Sequence, residues 1–189
     1  MSEKRQTLID TAIRLFAEHG FHNTGIDWIA QEANVSKKTM YHHFRSKEEL
    51  ILAALKHHDG LFRNFFMRKV MEYSDSPRER LIGAFDVAHA WFSDKEFYGC
   101  MFINAIGEYA NRETAIRHAC QDFKSQMTCF IEKLAGEAEA QNPNQLAETL
   151  SLLLEGAIVT AQVAGNPHSA ETAKAAAIVL IDKALSNSD

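Results

Sequence analysis

The stretch from Thr24 to Lys47, TGIDWIAQEANVSKKTMYHHFRSK, narrows the folds open to this chain more than any other, because it reads as two short helices around a tight turn. Ile26, Ile29 and Ala30 recur at helical spacing, and Thr24 with Asp27 stand as an N-cap and its reciprocal partner, which predicts a helix ending near Ala33. Asn34 tolerates the left-handed backbone that ends a helix, Val35 plugs the angle between the two helices, and Ser36 caps the next one. That helix runs from Lys37 to about His43. Met40 and Phe44, four residues apart, give it an inward face, and Lys37, Lys38, Thr39, Tyr41 and His42 are left outside.

An exposed tyrosine between two lysines and a histidine is costly as ordinary surface, and DNA accounts for it better. A helix N-terminus presents free N–H groups to phosphate, and lysines release counterions from the backbone. Tyr, Thr and His bond phosphates or base edges in a major groove.

The first fifty residues resemble the N-terminal DNA-binding domain of the tetracycline-repressor (TetR) family of bacterial transcription regulators. The resemblance is carried by LFAEHGF (Leu15 to Phe21), the Ile29–Ala30 pair, NVSKKTMYHHF (Asn34 to Phe44) and SKEEL (Ser46 to Leu50), in the family's order and spacing. Asn34 and Lys38 stand where glycine is frequent, and Asp27 where many members place a basic or polar group. Asn34 suits the turn, Lys38 adds a charge that alters base reading, and Asp27 repels phosphate.

The formal net charge of -5 is at odds with DNA binding until it is divided along the chain. Residues 1 to 47 carry seven Lys/Arg against five Asp/Glu, net +2, and the remainder carries thirteen against twenty, net -7. From Ala33 to Lys47 there are four basic residues and no acidic one, so a local positive field meets the phosphates while the acidic remainder disfavours indiscriminate binding. At 189 residues and 46% hydrophobic content, the chain suits one DNA-reading module plus a larger helical domain. The polar start MSEKRQTLID and the lack of a run of about eighteen apolar residues predict neither export nor a membrane partner, and so a cytoplasmic protein. Cys100, Cys120 and Cys129 are odd in number and lack paired spacing, which argues against a disulfide framework or zinc.

Alternating strand patterns are absent and Ala, Leu, Glu and Lys dominate, so the expected fold is all-α with about nine helices. A first helix from Glu3 to His19 turns Leu8, Ala12, Leu15 and Phe16 to one face, with Gly20 as C-cap and Phe21 folding back. A fourth helix opens with the capping box Ser46/Glu49 and continues toward Tyr73, a lever of about 40 Å with Gly60 as a bending point. Ser76, Pro77 and Glu79 start a fifth, and a sixth lies near Cys100 to Tyr109. Asn111 caps a long seventh, Asn142 and Pro143 start an eighth that ends around Gly165, and Ser169 with Glu171 opens the ninth. The last two helices are apolar over more than one stripe. That surplus predicts a homodimer through a four-helix interface, with Leu150, Leu154, Ile158, Ala161, Ala173, Ala177, Leu180 and Ala184 as contacts. TetR-like proteins dimerise in this way, and two-fold symmetry doubles the contact on a palindromic site.

Enzyme chemistry does not converge. His42–His43 and His57–His58 are adjacent in sequence and point about 100° apart on a helix, HExxH, GxSxG and phosphate loops are missing, and Cys100 reads as buried filler. Neither a catalytic residue, a metal nor a cofactor is expected. Because a TetR-like chain encloses a ligand cavity in its second domain, His89, Phe92, Phe102, Asn104, His118 and Glu155 are the expected lining of a small-molecule effector site. The segment Tyr98 to Phe102 resembles a Gly-Cys element of a subset of the family, some of whose members sense electrophiles, but no Lys or Arg adjoins Cys100 to activate its thiol.

The sequence thus predicts a DNA-binding domain over 1–47 and an effector-binding and dimerisation domain over 48–189. Thr24, Ser36, Lys37, Lys38, Thr39, Tyr41, His42 and Lys47 are the expected contacts to double-stranded operator DNA. The function implied is a repressor released from its operator by a small effector. Two rivals stay open: a ligand-independent DNA-binding protein, and a helical small-molecule-binding protein or enzyme with a vestigial DNA module.

Overall fold

The computed structural model describes residues 2–109 and 114–186. Among these, nine helices and no strand are found: α1 (Glu3–His19), α2 (Ile26–Glu32), α3 (Lys37–His43), α4 (Lys47–Tyr73), α5 (Pro77–Phe92), α6 (Met101–Glu108), α7 (Ala115–Glu137), α8 (Pro143–Ala164) and α9 (His168–Leu185). The expected all-α architecture is therefore correct.

Helix ends follow local chemistry wherever a cap and its target are close in sequence. Ser36, Ser76 and Asn142 each accept the N–H of the third residue onward, and prolines at 77 and 143 stand in the first turns of α5 and α8. Gly165 ends α8 in the left-handed region, where a side chain would be strained. At α4, Ser46 Oγ accepts the N–H of Glu49, whose carboxylate takes the N–H of Arg45.

Two expected caps are corrected. Thr24 does not cap α2: Gly25 occupies that position without a side-chain bond, and the Thr24 hydroxyl donates instead to the carbonyls of Gly20 (2.7 Å) and Leu15 (3.3 Å). Ser169 lies inside α9, and its hydroxyl donates across to Ala157 O on α8 at 2.8 Å, while Asn166 Oδ1 accepts the N–H of His168 at the helix entrance. In both cases a main-chain carbonyl elsewhere competes for the hydroxyl, and spacing along the sequence cannot register it. Asn111 lies outside the described residues.

Packing divides the chain into two compact units, one taking the residues up to Leu61 with Cys100–Phe123, the other Phe62–Gly99 with the residues from Lys124 onward. The first unit has a core of Leu8, Leu15, Phe16, Phe21, Ile29, Met40, Phe44, Leu50 and Ile51, joined in sequence terms by Phe102 and Phe123, all buried. Phe102 stacks on Phe123 with ring centroids 3.8 Å apart and planes 9° off parallel. In the second unit α9 packs against both α5 and α8, and Phe85, Leu134, Leu150, Ala157, Ala177 and Ile181 fill the space between helices. Tyr73 of α4, Asp86 of α5 and Lys174 of α9 meet there: the tyrosine hydroxyl donates to Asp86 at 2.7 Å, and Lys174 Nζ reaches both Asp86 oxygens at 2.6 and 2.8 Å.

α8 is long and apolar enough, by length and composition, to cross a membrane, although only 33% of its most apolar window is buried. Its apolar surface splits into two stripes. Leu146, Leu150, Leu154, Ala157 and Ala161 face the core, whereas Leu152, Val159 and Val163 are exposed, Val163 to 83%. Of the expected interface residues, Leu150, Leu154 and Ala161 lie on this inner stripe, and Ala173 and Ala177 of α9 are likewise buried within the chain. Ile158, Leu180 and Ala184 are half-buried against that same core.

Candidate nucleic-acid interface

The exposed face of α3 is built by a turn that sequence alone already marks. Asn34 adopts φ 53°, in the left-handed region that Asn enters more easily than most residues, and this lets Val35 N–H reach back to the Ala30 carbonyl at 2.9 Å. Ser36 then starts α3, its Oγ accepting Thr39 N–H at 3.2 Å and lying 2.9 Å from Thr39 Oγ1. Met40 and Phe44 are fully buried beneath α3, and the Arg5 guanidinium sits over the Phe44 ring at 5.0 Å. What remains outside is Lys37, Lys38, Tyr41 and His42, with Tyr41 52% exposed.

Tyr41 is half exposed on the face that carries Lys37, Lys38 and His42, a set of side chains able to use what a major groove offers: acceptors for lysine, phosphate oxygens for a phenol, and anionic charge at a helix N-terminus. Lys37 is not free in this arrangement. Its ammonium lies 2.5 Å from Asp27 Oδ2 on α2, and this hydrogen bond raises the lysine pKa. Lys47, at the start of α4, donates to the carbonyl of His22 at 3.2 Å.

Thr24 is the one expected contact that cannot serve, since it is 0% exposed and its hydroxyl is committed to main-chain carbonyls. Sequence reasoning also passed over two groups of the same unit. Glu108, at the end of α6, accepts hydrogen bonds from the loop after α1, and nothing in its local sequence marks it. His58 in α4 is half-buried close to the Phe102 ring, at 5.8 Å between centroids, and desolvation there drives its pKa down to about 4.

The six expected effector contacts do not gather in one unit. Phe102, Asn104 and His118 belong to the first, where Phe102 is 1% exposed and His118 is at the surface. His89, Phe92 and Glu155 belong to the second. There His89 lies 3.3 Å from Glu171, Glu155 pairs with Lys124 at 3.3 Å, and Phe92 is buried against Trp91 and Phe97. A groove of about 250 Å³ in the second unit is lined by other residues, among them Gln141, Gln145, Leu146, Leu180 and Lys183. Among the described residues no cluster of His, Cys, Asp or Glu is arranged to hold a metal ion.

Comparison with known proteins shows the family. Residues 8–54 match the family described as bacterial regulatory proteins, tetR family, and residues 77–177 the tetracyclin repressor-like C-terminal domain. The chain is 47% identical over 64 residues to the uncharacterized HTH-type transcriptional regulator YerO of Bacillus subtilis, a match covering 34% of this chain and 22% of that protein. To YxaF of the same organism, also an uncharacterized HTH-type transcriptional regulator, it is 27% identical over 83% of this chain and 84% of that one. Among solved structures, SCO4454, a TetR-family transcriptional regulator from Streptomyces coelicolor, superposes with a TM-score of 0.89 at 25% identity, covering 98% of both chains.

Proposed function

The chain belongs to the TetR family of DNA-binding transcriptional regulators, and from that premise we propose that it is a cytoplasmic homodimeric repressor, without enzymatic activity, that leaves its operator when a small molecule occupies the C-terminal domain. The observation that carries the reading is the exposed face of α3, where Lys37, Lys38, Tyr41 and His42 stand outward over a buried Met40. Lys37, Lys38, Thr39 and His42 are the base-reading candidates, while Ser36, Tyr41 and Lys47 reach phosphates. Residues 1–47 form the reading domain and 48–189 the regulatory one. α4 is shared by both packing units, which meet in sequence after Leu61, and conformational change at the effector site reaches the DNA side along it.

The dimer uses the outer stripe of α8 and its counterpart on α9. Leu152, Val159, Val163 and Val179 are exposed to 72, 42, 83 and 67%, beside the small residues Gly156, Ala175 and Ala176. A second copy of the same two helices covers such a surface with a two-fold arrangement, and a dimer places two recognition helices on one palindrome. Exposed apolar side chains in one contiguous row are otherwise an aggregation liability.

The test is a genome-wide binding map of the full chain, followed by titration of the recovered duplexes. Sequence-specific peaks that vanish in a Lys38→Ala/Tyr41→Ala variant, with transcription of the neighbouring genes rising when the regulator is deleted, support the reading. Peaks indifferent to α3 overturn it.

A further inference from the structure

Glu108 is the last residue of α6 and lies far from the helix-turn-helix in sequence, yet its carboxylate is spent on the loop that leads into α2. Oε1 accepts the N–H of Phe21 at 2.8 Å; Oε2 accepts the N–H of His22 at 2.6 Å and lies 2.7 Å from His22 Nδ1. Successive main-chain N–H groups converging on one carboxylate make charge-assisted bonds, stronger than neutral ones.

The loop is shaped to admit this group. Gly20 has φ 83°, and a Cβ there would stand 3.0 Å from Glu108 Oε1, so glycine supplies both the backbone conformation and the space. Around the carboxylate, the His22 ring stacks on Tyr109 (4.9 Å, 19°), and Phe21, fully buried, stacks on Phe16 at 4.8 Å and meets the Tyr109 edge at 6.3 Å. Burial pushes the Glu108 pKa up, but the bonds from the His22 and Phe21 N–H groups outweigh it and hold the group below the usual carboxylate range. The other side of the same peptide segment faces α4, where the His22 carbonyl accepts Lys47 Nζ at 3.2 Å.

We propose that Glu108 is a positioning residue for operator binding: by holding the Phe21 and His22 amides it fixes the loop from which α2 departs and the carbonyl that orients Lys47, and so sets the pose in which α3 and Lys47 meet DNA. The proposal rests on the operator-binding reading above. It makes α6 part of the DNA-reading apparatus although it contributes no side chain to the DNA face. A purely structural role for Glu108 would lower stability and weaken all DNA binding alike. A positioning role acts on the sequence-specific complex, because non-specific binding uses the field of the charges and tolerates an imprecise pose.

Full-length wild type, Glu108→Gln and Glu108→Ala are to be compared in three ways: amide hydrogen exchange, thermal melting, and titration of an operator duplex from the binding map against an unrelated duplex of equal length. Glu108→Gln keeps the shape but removes the charge and one of the two acceptor oxygens. The expected result is exchange at Phe21 and His22 at least tenfold faster, with α8 and α9 amides unchanged. Operator dissociation constants should rise about tenfold for Gln and further for Ala, with less than a threefold change on the unrelated duplex. Unchanged exchange at the two amides overturns the proposal, as does faster exchange with wild-type operator affinity, or equal weakening on both duplexes in step with a lower melting temperature. The exchange measurement needs no DNA, so it fails separately from the operator-binding reading, which falls if wild type itself does not distinguish the two duplexes.

Discussion

Lys37 Nζ lies 2.5 Å from Asp27 Oδ2, so the first basic residue of α3 is held by a carboxylate from the helix before it. Both side chains are well exposed, and such a pair adds little to stability. On the proposed reading the consequence is for DNA: Lys37 would exchange Asp27 for a phosphate or base, and Asp27 would repel phosphate throughout. Asp27→Asn is expected to raise affinity for unrelated duplexes by about threefold to tenfold and to steepen the salt dependence, with a smaller gain on the operator and hence poorer discrimination. Parallel titrations of the two duplexes across salt concentrations check this, and an unaltered ratio of affinities contradicts it.

Lys47 is held by the His22 carbonyl at 3.2 Å at the N-terminus of α4, and on the proposed reading it would neutralise one phosphate from there. Lys47→Ala should weaken binding to every duplex and reduce the slope of log affinity against log salt by about one. A wild-type slope in the variant removes Lys47 from the DNA contact.

The two stripes of α8 give opposite expectations for the same substitution. Val159→Asp places a charge on the outer stripe, and should yield folded monomers that bind operator poorly. Leu154→Asp places it in the core, where Leu154 is 8% exposed, and should destabilise the chain itself by about 3 kcal/mol or more. Sedimentation and circular dichroism separate the outcomes; an intact dimer in Val159→Asp excludes the outer stripe.

His58 should make stability depend on acidity. Its pKa is about 4 in the folded chain because burial disfavours the imidazolium, with Asp59 and His57 pulling in opposite directions, against 6.5 for the free side chain. Above pH 6.5 the group is neutral in both states and costs nothing. As pH falls from 6.5 through 4 the unfolded chain takes the proton first, so stability is lost over that window, by up to about 3 kcal/mol. His58→Gln should flatten the denaturation midpoint between pH 4 and 6.5, and an unchanged profile would show that other groups govern it.

Two helical glycines should respond oppositely to alanine. Around Gly60 no atom lies within 4 Å of an added Cβ, so Gly60→Ala gains helix propensity and should stabilise by about 0.5–1 kcal/mol. At Gly83 the Cβ would overlap the Tyr73 ring, whose hydroxyl is tied to Asp86, and the substitution should cost about 1–3 kcal/mol. Thermal melts of the two variants decide both signs.

What the sequence determined by itself is what depends on neighbours along the chain. The turn at Asn34, the caps at Ser36, Ser76 and Asn142, and the inward pair Met40 and Phe44 were all legible, because a cap or a helical face needs partners only three or four residues away. The outward row of α3 followed from the same geometry. Tertiary structure decided where competing partners lie far apart in sequence. It buried Thr24 by offering its hydroxyl the Leu15 and Gly20 carbonyls, and it set Glu108 on the Phe21 and His22 amides. It also chose between the two apolar stripes of α8, which are equally hydrophobic to a reader of the sequence. Helical periodicity measures how residues share a face but not which face a neighbouring helix will cover, and that choice was made when α5 and α9 closed over Leu150, Leu154 and Ala157 and left Leu152, Val159 and Val163 outside.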